Sequence, residues 1–351
     1  MDDVDFLLVN ALQHRPRASW SQLEAIVGGD ASTLSRRWSR LVDSGLVWSS
    51  CFAVSPGDPD RPDGRFDSAV HPLTGVLALV EVYCTAGSRE SVIAGIAKTP
   101  SVLTVECTSG GPDLILTLSC PSVAEVDAYV ATELAADPGV RRTRTHFTRT
   151  FFKEGTSWRP GILSERQVKA LQAFPATGID APAVPTRLHE LVINALAGDV
   201  RRSATSIADE IGRSVATVTR AIGQILHAPW ARTRVDFAHN LVGYNASVMV
   251  WFSVPHHQLE MVGAGLALMP ETRMCCSVVN RANLAVTFWL RSLRDLDAVE
   301  TKIARAFPTA RTEERWLLPR FPKRLGHTLT PSGHHATFIP PTHPVTAGPA
   351  R

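Results

Sequence analysis

Residues 7–36 read LLVNALQHRPRASWSQLEAIVGGDASTLSR, and residues 191–220 read LVINALAGDVRRSATSIADEIGRSVATVTR. The shift that carries Arg36 onto Arg220 aligns the two stretches without a gap. It matches Leu7 with Leu191, Asn10 with Asn194, Arg17 with Arg201, Ser19 with Ser203, Gly28 with Gly212 and Thr33 with Thr217. Where identity fails the apolar class is kept, as in Leu23 with Ile207. A repeat of this kind decides the architecture before any single element is assigned.

Each stretch carries the periodicity of a helix trio, at 3–13, 19–27 and 31–43 and again at 187–197, 203–211 and 215–226. Ser19 and Ser203 are placed to cap the second helix of each trio, and Asp30 and Ser214 the third. Their side-chain oxygens accept from the free amides of a first turn. Few residues around Gly28 and Gly212 separate the last two helices, which is helix-turn-helix punctuation. In the third helix Leu34, Trp38 and Leu41 share one face, so Ser32, Thr33, Ser35, Arg36, Arg37 and Arg40 are expected to point mainly elsewhere.

A strand follows each trio, at 46–54 and 231–238, and then the rhythm changes. From Gly75 the order is strand (VLALVEVYC), helix (SRESVIAGIAK), strand (VLTVECT), strand (DLILTLSC), helix (SVAEVDAYVATELA) and strand (VRRTRTHFTRTFF). The same β-α-β-β-α-β order recurs from ASVMVWFSV to TARTEERWLL, and it predicts a ferredoxin-like antiparallel sheet with both helices on one face. Pro100 aligns with Pro270 and Asp113 with Asn283 at a shorter shift, so the first copy has extra residues between its modules, visible in PGDPDRPDG at 56–64. The expected fold is α+β. Its helix-turn-helix modules lie at 1–54 and 187–238, its ferredoxin-like modules at 70–153 and 243–320, a Pro-rich linker at 154–186 and a disordered tail at 326–351.

A length of 351 residues suits two or three domains, and 44% apolar with 20% charged residues is the composition of globular protein. The net charge of +3 gives no global basic field, so any nucleic-acid surface must be local. No apolar run approaches the roughly 20 residues that span a bilayer, and the acidic start MDDVDFLLVNAL is unlike a signal peptide. A cytoplasmic protein without a membrane partner is expected. Cys51, Cys84, Cys107, Cys120, Cys275 and Cys276 lack zinc-site spacings and read as reduced packing residues.

The runs ALQHRPRASWSQLEAIVG (11–28), DASTLSRRWSRLVDSGLV (30–47), TSGGPDLIL (108–116) and RTRVDFAHNLVGY (232–244) resemble the Lrp/AsnC, or feast/famine, transcriptional regulators. Between residues 3 and 319 the chain resembles a tandem fusion of two such subunits. The resemblance implies a winged helix-turn-helix joined by a strand to an effector-sensing module, with TSGGPD as the Gly-x-x-Asp loop that lines an amino-acid site. It implies double-stranded DNA and a small effector, an amino acid, as partners. Pairing as a homo-oligomer or as an intramolecular pseudo-dimer stays open at this point.

On that reading Ser32, Thr33, Ser35, Arg36, Arg37 and Arg40 contact DNA in the first copy, and Arg213, Ser214, Thr217, Thr219 and Arg220 in the second. Ala221 and Gln224 replace Arg37 and Arg40, so the first copy is expected to hold its half-site more tightly. Ser109, Gly110, Gly111 and Asp113 are the effector candidates: glycines let amides approach a ligand carboxylate, and the acidic side chain answers an amino group. A plain hairpin turn is the alternative. The second copy reads NRAN, with Asn280 and Asn283 in place of the glycine and the carboxylate.

No Gly-x-Ser-x-Gly elbow, phosphate loop, HExxH or dinucleotide fingerprint occurs, and neither an enzyme nor a cofactor is expected. The sirohaem decarboxylases share the two-module architecture and are the rival reading, with His146 and His239 as its pocket groups. The arginine-bearing helix of the first copy speaks against it. An assembly scaffold without DNA binding is a further alternative. The tail histidines His327, His334, His335 and His343 have no cysteine beside them and are not expected to hold metal.

Overall fold

The computed structural model describes residues 1–54, 66–67, 75–173 and 180–341. The loop at 56–64 and the last part of the tail lie outside the described residues. Helices α1 (Asp3–His14), α2 (Trp20–Val27) and α3 (Ala31–Asp43) lead into β1 (Val47–Ala53). The short β2 (Phe66–Asp67) precedes β3 (Val76–Cys84), α4 (Arg89–Ile96), β4 (Val102–Cys107), β5 (Leu114–Cys120), α5 (Val123–Tyr129) and β6 (Val140–Lys153). After α6 (Glu165–Ala173) come α7 (Arg187–Leu196), α8 (Ala204–Ile211), α9 (Val215–His227) and β7 (Ala231–Phe237). The chain then runs β8 (Ala246–Ser253), α10 (Leu259–Leu268), β9 (Thr272–Val278), β10 (Leu284–Leu290), α11 (Asp295–Ala306) and β11 (Arg311–Leu317). It continues into β12 (Arg320–Arg324), β13 (His327–Leu329) and β14 (His335–Phe338). Among the described residues no helix is long and apolar enough to cross a membrane.

Like pairs with like across the repeat. One unit combines Met1–Ser55 with Arg159–Ala238, and the other combines Pro56–Trp158 with His239–Arg351. In the first unit each trio has its own apolar centre. Leu8, Leu12, Leu23, Leu34 and Leu41 are buried in one, and Val192, Ile193, Leu196, Ile207, Val218 and Ile222 in the other. Burial stabilises each such side chain by roughly 1.5–3 kcal/mol. Strand β1 pairs antiparallel with β7, from Val47 opposite Phe237 to Ala53 opposite Ala231, so Cys51 packs into the core of the second trio. The linker is anchored as well. Asn10 Oδ1 accepts from the amides of Ile162 and Leu163, and Gln167 on α6 donates to the carbonyl of Ile26.

In the second unit the strand order is β11-β8-β10-β9-β6-β3-β5-β4-β12-β13-β14. In each copy the fourth strand of the module lies beside its first, and the third lies beside its second. Helices α4 and α5 cover one face of the first module over Val80, Val82, Val105, Leu116 and Val126. Helices α10 and α11 cover the second over Val250, Phe252, Val262, Val286 and Ile303.

The two modules are knitted by exchange. Strand β6 pairs with β3 as far as Phe147 and, beyond it, with β9. Strand β12, which continues from β11, pairs in turn with β4. Matching lysines finish both crossings: Lys153 Nζ donates to the carbonyl of Met269 at 3.1 Å, and Lys323 Nζ to that of Thr99 at 2.8 Å. Pairing of the two modules is therefore intramolecular in this structure.

The tail departs from its expectation. From Gly326 to residue 341 it is ordered, and β12, β13 and β14 form an antiparallel meander at the edge of β4. Strands of three and four residues are too short to show alternation, and so their signal was hidden in the sequence. His327 is fully buried there, its ring 4.9 Å from that of His335. Among the described residues no three His, Cys, Asp or Glu side chains group as a metal site requires. All six cysteines are buried and unpaired, and burial pushes the Cys51 and Cys276 thiols up to about 12.

Glu106 on β4 is half-buried, and desolvation pushes its carboxyl up to about 7 against the opposing pull of Arg324 and Arg273. The folded chain therefore holds this proton more tightly than the unfolded chain does. The associated stability is fully present below the ordinary carboxylate range and is lost as pH rises through about 7. In Glu106→Gln this dependence disappears: the melting temperature of the variant is expected to exceed that of the parent at pH 8 by more than at pH 4, as read by thermal melts at both.

Candidate functional site

The third helix of each trio begins on the cap that its sequence specifies. Asp30 accepts from the Thr33 amide at 2.9 Å and from the hydroxyls of Ser32 and Thr33 at 2.6 and 2.7 Å. These donors hold its carboxyl well below the usual range. Gly28 and Gly29 both lie at positive φ, which lets the chain turn sharply between α2 and α3. In the second trio Ser214 accepts from the Thr217 amide at 3.2 Å, and Gly212 provides the left-handed cap of α8.

The arginines of α3 divide into two kinds. Arg36 is exposed, with one hydrogen bond to the Thr33 hydroxyl at 3.2 Å. Arg37 and Arg40 bend back to α1 instead. Arg37 Nη1 lies 2.7 Å from Asp2 and 2.9 Å from Asp5, while Arg40 Nη2 reaches both oxygens of Asp5 at 2.9 and 3.1 Å. The Asp5 side chain is only 3% exposed, so it depends on these guanidiniums for compensation.

The second copy shows what that arrangement is for. Asp5 matches His189 and Arg40 matches Gln224, and His189 Nε2 meets Gln224 Oε1 at 2.9 Å. Ala221, which stands where Arg37 does, is buried. A charged tie between the first and third helices in one copy is thus a neutral tie in the other. Arg37 and Arg40 thus act as helix-to-helix braces, a role the sequence did not suggest; Arg37 is half-buried, whereas Arg40 keeps its side chain 61% exposed. The exposed polar groups left at the starts of the two helices are Ser32 and Arg36 in one, and Arg213, Ser214, Thr217, Thr219 and Arg220 in the other. Thr33 and Ser35 are half-buried.

A further pair was visible in the repeat, but its role was not. Arg17 Nη1 donates to the carbonyls of Val200 and Arg202 at 2.6 and 2.9 Å. Arg201 Nη1 donates to those of Pro16 and Ala18 at 2.7 and 3.0 Å. Under the repeat shift these are the same bonds, exchanged between the trios. Burial, with Arg17 alongside, pulls the Arg201 guanidinium down to about 10, and Arg201 lies 4.0 Å over the Trp20 ring. The two helix trios thus meet about a pseudo-twofold axis.

The glycine loop is closed upon itself and upon its neighbour. Asp113 Oδ2 accepts from the Cys84 amide at 2.7 Å, and Asn283 Oδ1 accepts from the matching Val254 amide at 2.9 Å. At this position carboxylate and amide do the same work, latching the loop to the end of the first strand of the module. Ser109 exchanges two hydrogen bonds with Leu317, through its amide at 2.9 Å and its hydroxyl at 3.0 Å. A Cβ on Gly110 would stand 2.0 Å from the Trp316 ring, so the glycine is required by an indole packed against it. Gly111 faces the Tyr83 hydroxyl, and Asn280 binds the following amide of Arg281. The backbone approach expected for a ligand is here taken by Trp316, and the Asp113 oxygen expected for an amine is taken by Cys84. His146, named as a pocket group, is buried against Glu81 at 2.7 Å.

Residues 77–158 match the Lrp/AsnC ligand binding domain. The uncharacterised HTH-type transcriptional regulator PH0140 of Pyrococcus horikoshii is 21% identical over 155 residues, 44% of this chain and 90% of that protein. The HTH-type transcriptional regulator AldR of Mycolicibacterium smegmatis is 28% identical over 148 residues, 41% of this chain and 79% of that protein. Among solved structures, the siroheme decarboxylase NirDL superposes with a TM-score of 0.55 at 15% identity, covering 92% of this chain and 93% of its own. That likeness is one of fold. The sequence matches make residues 77–158 similar to the Lrp/AsnC ligand binding domain, and less than half of the chain similar to HTH-type transcriptional regulators.

The two kinds of arginine separate on mutation. Arg17→Met removes two charge-assisted bonds to buried carbonyls and is expected to cost about 2–4 kcal/mol in denaturant unfolding. Arg40→Ala is expected to lower the melting temperature by loosening α1 from α3. The matched change Gln224→Ala is expected to act in the same sense, checked by parallel melts.

Proposed function

We propose that the chain is a DNA-binding transcriptional regulator in which two winged helix-turn-helix modules read two half-sites of one duplex. DNA affinity is set by a small metabolite acting on the ferredoxin-like modules. The observation that carries this reading is the reciprocal Arg17 and Arg201 clasp. It ties the two trios to one another, each with a side-chain-capped third helix. Hydroxyls and guanidiniums at the start of such a helix suit phosphate oxygens and base edges in a major groove. Half-sites for paired units of this type lie about 34 Å or a multiple apart.

The DNA contacts we assign are Ser32, Thr33, Ser35 and Arg36 on α3, with Arg213, Ser214, Thr217, Thr219 and Arg220 at α9. Arg37 and Arg40 serve structure. The two half-sites are then bound with comparable strength. Regulation follows if the metabolite, an amino acid in the family reading, has unequal affinity for the free and DNA-bound conformations. Asp113, Asn283 and the glycine loop support the sensing module by holding its shape.

The fold likeness to a siroheme decarboxylase keeps an enzymatic reading in view, and a Soret shift on titrating sirohaem would support it. Fluorescence anisotropy on duplexes from upstream of the gene decides the main proposal. Arg36→Ala and Arg220→Ala are each expected to weaken binding and to lower the salt slope by about 1, whereas Arg37→Ala leaves the slope unchanged. Failure of every duplex to bind at low salt would refute it.

A further inference from the structure

We propose that a cavity beside His239 is a binding site for a small organic carboxylate. Its walls include His239, Tyr244, Ser247, Arg320, Phe321 and Arg324, and among the described residues no carboxylate side chain lines it. The cavity measures about 30 Å³, where a single water needs roughly 10–15 Å³, so it has room for a group of two or three heavy atoms. Exposed Asn240 and Asn245 stand at its edge, leaving the remainder of a ligand facing solvent.

Two features mark the cavity as polar and pre-arranged. Ser247 is 2% exposed, and its hydroxyl has no hydrogen-bond partner among the described residues. A buried hydroxyl in that state is costly unless an acceptor or donor enters beside it. The Arg324 guanidinium, also buried, is fixed by aromatic faces, 4.5 Å over Phe321 and 5.0 Å over Trp289. It donates to His239 Nδ1 at 3.0 Å, and His239 stacks on Trp289 with ring centroids 4.3 Å apart. A guanidinium can only donate, so His239 accepts at Nδ1 and carries its proton on Nε2. A planar cation held by aromatic faces and an unpartnered hydroxyl lining the same cavity make a pattern that receives a carboxylate.

The repeat supplies an independent argument. The shift that carries Pro100 onto Pro270 lays Leu77 on Ser247 and Glu154 on Arg324. One copy therefore has an apolar and an acidic residue where the other has the hydroxyl and the cation. This chemistry belongs to the second copy alone, as expected of a ligand site and unlike the bonds that both copies share.

The test uses the full chain and sodium acetate as the probe, at constant ionic strength, with tryptophan fluorescence as the signal because Trp289 touches both His239 and Arg324. A saturable change is expected, weakened about tenfold in Ser247→Ala and more in Arg324→Lys. Ser247→Ala retains the fold even if the arginine variant does not, and circular dichroism confirms that. A response to acetate that is linear, or unaltered by Ser247→Ala, overturns the proposal. So does an equal response to sodium sulfate, which would assign the cavity to inorganic anions. No DNA is involved, so the outcome is separate from that of the regulatory reading.

Discussion

Everything in the larger α/β unit depends on one strand serving two modules. Strand β6 begins as the edge of its own sheet and ends as the neighbour of β9, and β12 repays the exchange by closing on β4. Each module therefore leaves one backbone edge that only the other copy fills, and an unfilled edge strand is a liability. The matched lysines at 153 and 323 each donate to a carbonyl just past a helix of the opposing copy, those of Met269 after α10 and Thr99 after α4. Neither half has a complete sheet by itself.

The same logic of exchange recurs in the helical unit at smaller scale. There the currency is not a strand but a guanidinium, offered by Arg17 and Arg201 to carbonyls of the opposite trio. Two like charges brought together at partial burial repel, and the nearby Asp199 offsets part of that cost. The antiparallel β1 and β7 pair runs through the same unit and adds backbone bonds to the side-chain clasp.

Local rules were legible from residues alone. Helix starts at Ser19, Asp30, Ser203 and Ser214 follow from short side chains competing for free amides, and α3 and α9 begin where those caps predict. The order of strands and helices marked both α/β modules because apolar runs of six or more residues stand out between helical segments. What could not be read was which partner a polar side chain finds. An exposed-face arginine and a brace to Asp5 have the same helical position, and a carboxylate in a glycine loop looks alike whether it meets an amine or Cys84. One signal was available: Asp5 with Arg40 gives way to His189 with Gln224, a coupled change that marks contact between the two positions. The ordered tail was missed because its strands are shorter than any period.

Carrying both copies of a repeat in one polypeptide changes what mass action can do to their pairing. A dimer of separate chains falls apart on dilution, and its apparent stability rises with protein concentration. Here the partner of each half is present at the effective concentration set by the chain between them, whatever the bulk concentration. The two halves are also free to diverge, since a substitution such as Ala221 for arginine is not forced to appear on both sides of the axis.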